Sequence, residues 1–255
     1  FFHLIAQRPD VIVVQGGEAL NNLLVLIYAK LFRKPIVWWT LGALRGRKFS
    51  KVGMLYRRLV LWIERRATTY LGYSSVAIQH FRSMGYPPER CYNLVNVIDT
   101  DLAKQQIEKS RKDVEPLRDR LGLRDRRVIL YVGAMTETKK LPRLIKAFAM
   151  VANQFEDVRL VLVGDGPTRA ESQALANQLG VKDKVQFIGA VYEGVSAYFL
   201  LADLLVTPGT GGLVISEAMI HGLPVISAIG DGSEVDLIGR CLSAGRTDDL
   251  VSESS

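Results

Sequence analysis

The chain has 255 residues, nearly half of them apolar, which is enough to bury a full core and excludes a globally disordered protein. Its net charge of +7 is uneven: residues 1–70 hold 12 Lys/Arg against 3 Asp/Glu, whereas the remainder is slightly acidic. Two distant cysteines, Cys91 and Cys241, argue against a disulfide framework and fit a reducing, cytoplasmic compartment, and no apolar run approaches the ~18 residues of a spanning helix.

Short apolar runs alternate with longer amphipathic ones. Asp10–Val14 reads as a buried parallel strand, Leu20–Phe32 as a helix, and Pro35–Trp39 as the next strand. Val52–Ala67 follows as an amphipathic helix rich in arginine, then strand Thr69–Tyr73, helix Ser75–Met84 stopped by Gly85, and strand Cys91–Val95. The rhythm stalls over the polar stretch 99–126, which is expected to be a linker with a helix or coil over Lys104–Asp119. It resumes with strand Arg127–Val132, helix Leu141–Phe155, strand Val158–Val163, helix Thr168–Leu179 and strand Lys184–Ile188. Ala202–Val206, helix Leu213–His221 and strand Pro224–Ile226 complete the pattern. Strands alternating with helices of this length specify βαβ units and parallel sheets. The expected division is a first lobe over 1–98, the linker over 99–126 and a second lobe over 127–255.

The segment Pro208-Gly209-Thr210-Gly211-Gly212-Leu213-Val214 joins a strand to a helix through glycines. Glycine lets backbone approach a ligand, and the first N–H groups of a helix have no intrahelical acceptor, so the arrangement suits a phosphate or diphosphate. Glu217, one turn into the helix, is placed to accept bonds from vicinal hydroxyls. The alternative is an ordinary glycine turn with a surface glutamate.

Further motifs narrow the choice. Glu217-Ala218-Met219-Ile220-His221-Gly222-Leu223-Pro224-Val225-Ile226 resembles the EAMAxGxPVI signature of retaining GT-B glycosyltransferases, family four (glycosyl transferases group 1). Tyr131–Lys140 resembles that family's VGRLxxxKG turn, Leu162–Pro167 its VGDGP turn, Val185–Gly189 its VxFxG strand, and Asn93–Asp99 the VIPNGVD segment.

The resemblance implies an α/β, GT-B-like fold of two Rossmann-like lobes facing a cleft. Relative to the family, the first lobe is expected to lack its N-terminal part and the second its C-terminal helices. It implies a retaining transfer of sugar from a nucleotide-diphosphate sugar, with no metal or other cofactor. The acceptor would be a glycan or lipid-linked intermediate of a cell envelope. Catalytic roles fall on Lys139, which would neutralise the departing diphosphate, and on Glu217, which would hold the ribose hydroxyls. Gly212, Leu213 and Val214 would cradle the diphosphate through their N–H groups, with Gly133, Gly164 and Gly211 completing the donor site. Three departures stand out: Gly209 and Leu41 occupy positions where the family often has Glu and His, and Ala134 takes the place of its Arg, for which Lys140 or Arg143 are the candidate substitutes. They favour, as alternatives, a non-catalytic nucleotide-binding remnant, with a GT-B nucleotide-sugar epimerase as a third reading.

Other features take plainer readings. Asp99-Thr100-Asp101 reads as a helix cap rather than a metal motif. Gly164-Asp165-Gly166 lacks the third glycine of a dinucleotide fingerprint and is placed instead beside the nucleotide base. His3, His80 and His221 have no metal spacing, and His221 reads as helix C-terminal charge. The basic stretch 45–66, interleaved with Leu59, Val60, Leu61 and Trp62, is either a solvated face or a surface that adheres to an anionic membrane at the inner face of the plasma membrane. Nothing resembles a nucleic-acid reading motif.

Overall fold

The structure, a computed structural model, describes all residues except Phe1, Gly17, 43–49, Asn96, 229–233 and 243–255. The chain divides into two compact units, residues 1–96 with 231–255, and residues 97–230.

In the first unit, α1 (Phe2–Gln7), β1 (Ile12–Gln15), α2 (Ala19–Leu31), β2 (Ile36–Thr40), α3 (Lys51–Glu64), β3 (Thr69–Gly72), α4 (Ser75–Ser83) and β4 (Cys91–Asn93) follow in sequence. The four strands pair in parallel in the order β1-β2-β3-β4, with Val14 beside Trp38 and Trp38 beside Tyr70. Ile12, Val14, Ile36, Trp38 and Tyr70 point to one face and pack with Leu26 and Ala29 of α2, Ile63 of α3 and Phe81 of α4. On the other face Val13 and Tyr92 remain exposed. Ser50 and Ser74 cap α3 and α4 by accepting from the N–H of Gly53 and Ala77.

In the second unit, α5 (Thr100–Arg120), β5 (Arg127–Val132), α6 (Leu141–Ala152), β6 (Val158–Val163), α7 (Arg169–Gln178), β7 (Val185–Gly189), α8 (Val195–Leu201), β8 (Leu204–Thr207), α9 (Leu213–Ile220) and β9 (Val225–Ser227) build a five-stranded parallel sheet. The strand order is β7-β6-β5-β8-β9. Leu160 and Leu162 face Leu144, Ile145 and Phe148 of α6 on one side. Val128, Leu130, Val161, Val163 and Leu205 face Leu117 of α5, Phe199 of α8 and Ala218 of α9 on the other. Burial on both faces is what the unbroken apolar runs of β5 and β6 require.

Two boundaries differ from the sequence expectation. The stretch 99–126 is not a linker: it carries α5, whose Leu117 enters the second unit's core, so the unit begins at residue 97. Asp99 caps α5, its carboxylate accepting from the N–H of Asp101 (3.0 Å) and Leu102 (2.9 Å), as the cap reading of Asp99-Thr100-Asp101 required. Nor does the second unit run to residue 255. A tenth helix, α10 (Glu234–Leu242), belongs to the first, where the Asp236 carboxylate accepts from Ser75 N at 2.7 Å and from Asn93 Nδ2 at 3.5 Å.

Candidate functional site

The C-terminal ends of parallel strands carry the turns that lead into the following helices, and ligands of such sheets gather there. In the second unit three of these turns lock together through backbone. The turn after β5 enters a short 3-10 segment, Glu137–Lys139, and reaches α6 through Lys140, whose φ of 50° lies in the left-handed region. The Tyr131 hydroxyl donates to Ala134 O at 2.8 Å and closes the start of this turn; burial pushes its phenol pKa up, so it remains a donor. Met135 fastens the turn to the one after β6, donating to Asp165 O (2.8 Å) and accepting from Thr168 N (3.0 Å).

Close packing explains two of the glycines. A Cβ on Gly164, whose φ is 137°, would stand 1.9 Å from Gly133 O, and one on Gly166 2.5 Å from Met135 O. Gly164 and Gly166 therefore serve the fit of one turn against the next. Asp165 is engaged locally, accepting from Gly166 N and pairing with Arg169, which also donates to Phe187 O.

The glycine turn after β8 lies against the 136–140 turn. Thr210 N approaches Thr138 O at 3.4 Å, and the Lys139 ammonium donates to Thr210 O at 2.6 Å and Gly211 O at 3.1 Å. A Cβ on Gly209 would meet Thr138 O at 2.2 Å and the Lys139 backbone at 2.8 Å. Glycine at this position, one of the departures from the family pattern, follows from that contact: no side chain fits there while the two turns touch. Tyr131, Lys139, Thr207, Gly211 and Val214 line the small cleft between them. Beneath it the Thr207 hydroxyl donates to Ser227 Oγ at 2.8 Å, tying β8 to β9.

α9 starts at this cleft. Gly212 precedes it with φ 93° and ψ −154°, and no side chain caps the helix, so its positive end faces the turn with backbone donors alone. The structure thus brings together Lys139, Gly211, Gly212, Leu213 and Val214. Glu217 lies one turn further along α9, half-buried. Its carbonyl accepts from His221 Nδ1 at 2.6 Å, and the His221 ring stacks on Phe199 at 4.9 Å. His221 closes the end of α9 as a packed hydrogen-bond donor.

The Gly209–Thr138 contact and the Tyr131 and Thr207 hydroxyls carry no sequence signal. They join residues up to 71 positions apart, which only the paired turns reveal. Leu41 belongs to the first unit and is exposed. Arg45, Arg47 and Lys48 of the basic stretch lie outside the described residues. No helix among the described residues is long and apolar enough to cross a membrane.

Residues 113–239 match the family model of glycosyl transferases group 1. Alpha-D-kanosaminyltransferase from Streptomyces kanamyceticus is 28% identical over 67% of this chain and 43% of its own length. Alpha-monoglucosyldiacylglycerol synthase from Streptococcus pneumoniae is 30% identical over 50% of this chain and 30% of its own. Thus the chain spans less than half the length of these curated relatives. The crystal structure of Anabaena HepE in complex with UDP-glucose aligns with 91% of this chain and 63% of its own, at 24% identity and a TM-score of 0.70. The fold class is GT-B-like, α/β with parallel sheets.

Proposed function

We propose that this relative of the group 1 glycosyl transferases moves a sugar from a nucleotide-diphosphate sugar to a glycan or lipid-linked acceptor, with retention at the anomeric carbon. The observation that carries this reading is the convergence of the Lys139 ammonium and the uncapped start of α9 on one glycine turn. Breaking the bond between the anomeric carbon and the phosphate oxygen leaves a diphosphate with extra negative charge. Preorganised donors at that point lower the barrier, and removing one such donor typically costs about 10²–10³ in rate. Lys139 and the N–H groups of Gly212, Leu213 and Val214 are assigned that task, and Glu217 the ribose hydroxyls. Gly133, Gly164 and Gly211 are assigned to complete the donor site, Gly164 also through its tight fit against Gly133 O.

HepE, a protein of the same fold, was crystallised with UDP-glucose, and the name of the pneumococcal relative denotes a glucosylated lipid. A lipid-linked acceptor would require this protein to meet a bilayer, and the basic stretch 45–66 is the surface assigned to that contact.

Gly209 supports a second reading, nucleotide binding without transfer. A carboxylate at this position, which the family often directs at the donor sugar, cannot be accommodated while Thr138 O lies 2.2 Å from the Cβ site.

Thermal unfolding with UDP, GDP and ADP in turn tests the donor site. The matching nucleotide at about 100 times its dissociation constant should add about 2.7 kcal/mol to the second unit, and Glu217→Ala should abolish the shift. No shift with any nucleotide on a folded sample contradicts the donor site. A shift without sugar transfer by the protein establishes the second reading.

A further inference from the structure

α2 is apolar nearly all round, and Lys30 is the only charged residue within it. Leu26, Tyr28 and Ala29 pack into the first unit's core. Leu20, Leu24, Ile27 and Leu31 lie outside that cluster and are 74%, 43%, 47% and 69% exposed. Steps of four, three and four residues put these four side chains on one line along the helix, within about 60° of one another. A helix that is apolar on every side is ordinarily covered on every side. The ends of this helix differ in charge. Glu18 is the only acidic residue between positions 11 and 33 and stands exposed at the start of α2. The two cations of the same stretch, Lys30 and Arg33, stand exposed at its other end.

These features complement one another when the helix is turned end for end. An antiparallel second copy sets Leu20 against the partner's Leu31 and Leu24 against the partner's Ile27. It also brings each Glu18 to the end that carries the partner's Lys30 and Arg33, and it opposes the two helix dipoles. A parallel copy would bring like charges together. A helix that lies on a bilayer lines its apolar face with several cations, whereas α2 itself carries one. We propose that α2 is the contact of a symmetric homodimer, in which the α2 helices of two copies run antiparallel and pack stripe against stripe. The 13 residues of α2 make a contact about 20 Å long, which places the dimer among small, concentration-dependent interfaces. The proposal concerns the first unit and requires nothing of the donor site.

Sedimentation equilibrium of the chain at rising concentration tests it. The chain should pass from monomer to dimer and stop there, because a two-fold contact uses up the patch it is built from. L24E with I27E gathers carboxylates at the centre of the seam and should weaken association by at least about a hundredfold, while far-UV dichroism and melting show a folded chain. E18K alone, and K30E with R33E, each bring like charges together at both ends of the seam. A surface ion pair is worth up to about fivefold and the two-fold axis counts it twice, so each of these variants should weaken association about tenfold. E18K, K30E and R33E in one chain restore opposite charges and should return association to within about threefold of the original. A folded chain that stays monomeric at every concentration, a dimer that survives L24E with I27E, or a combined charge variant that does not recover would each overturn the proposal. Capture of a monomeric chain by phosphatidylcholine vesicles, lost in L24E with I27E, would overturn it by assigning the stripe to lipid. A nucleotide-induced melting shift that persists in L24E with I27E separates failure here from failure of the donor site.

Discussion

The two units share a βαβ rhythm but cover their sheets differently. In the second, helices pack on both faces, and residues such as Leu130, Leu160, Leu162 and Val161 are completely buried. In the first, α2, α3 and α4 pack on one face, and across the sheet Val13 is 58% exposed. Parallel sheets are ordinarily covered on both sides. The second unit therefore has the closed packing that holds turns at fixed positions, and the candidate donor site is built from those turns. Among the described residues the first combines a sheet whose outer face is exposed at Val13 and Tyr92 with a buried carboxylate at its core.

The largest expected effect tests how rigidly the second unit's turns interlock. Gly164→Ala adds a Cβ against Gly133 O at a φ unsuited to an L-residue. It should destabilise the second unit by about 3 to 5 kcal/mol, read as a fall in its melting transition with the first unit's unchanged. A wild-type melting curve would show that the turns slide apart easily.

Next is the buried carboxylate of the first unit. Burial pushes the Glu64 pKa from 4.5 to about 7, and the nearby Tyr86 hydroxyl and Trp38 indole offset only part of the cost. Glu64 Oε1, Tyr86 Oη and Trp38 Nε1 are buried, and none of these three atoms has a hydrogen bond of ordinary geometry. Because folding raises this pKa, the folded unit holds its proton more tightly than the unfolded chain. Stability from this source is complete below pH 4.5 and is lost as pH rises to about 7. Across that window the cost is about 3 kcal/mol. Glu64→Gln should flatten the pH dependence and stabilise the first unit above pH 7 by up to that amount, as followed by urea unfolding at pH 5 and pH 8. An unchanged difference between the two pH values would mean that water or a neighbour already satisfies the carboxylate.

The smallest effect compares the sheet faces directly. Val161→Thr places a hydroxyl in a fully buried site of the second unit and should cost about 1 to 3 kcal/mol. Val13→Thr, at an exposed position of the first unit's sheet, should change stability by less than about 0.5 kcal/mol. Equal penalties in chemical denaturation would show that the first unit's outer face is buried in solution.

Elements with a clear periodic pattern were legible in the sequence, and those whose burial depends on the whole fold were not. β5 and β6 coincide with their expected spans because buried strands are continuous apolar runs between polar breaks. α8 escaped notice because it is buried nearly all round and has no polar face to set a period. α5 passed for a linker because its surface is strongly charged, with Ala103, Ile107 and Leu117 as its few buried apolar residues. α10 contacts α4 through a bond spanning 161 residues, a distance at which local pattern is silent. At the candidate site, the glycine turn and Lys139 were legible as a motif. The contact that keeps Gly209 a glycine was not, because it joins two turns from different βα units.

The most direct measurement of the donor site follows the backbone amide resonances of isotopically labelled protein during titration with UDP. Saturable shifts concentrated at Gly211, Gly212, Leu213 and Val214, together with Lys139, and lost in Lys139→Ala, are the predicted result. Shifts confined to the first unit, or none at saturating nucleotide, would contradict a donor site at the start of α9.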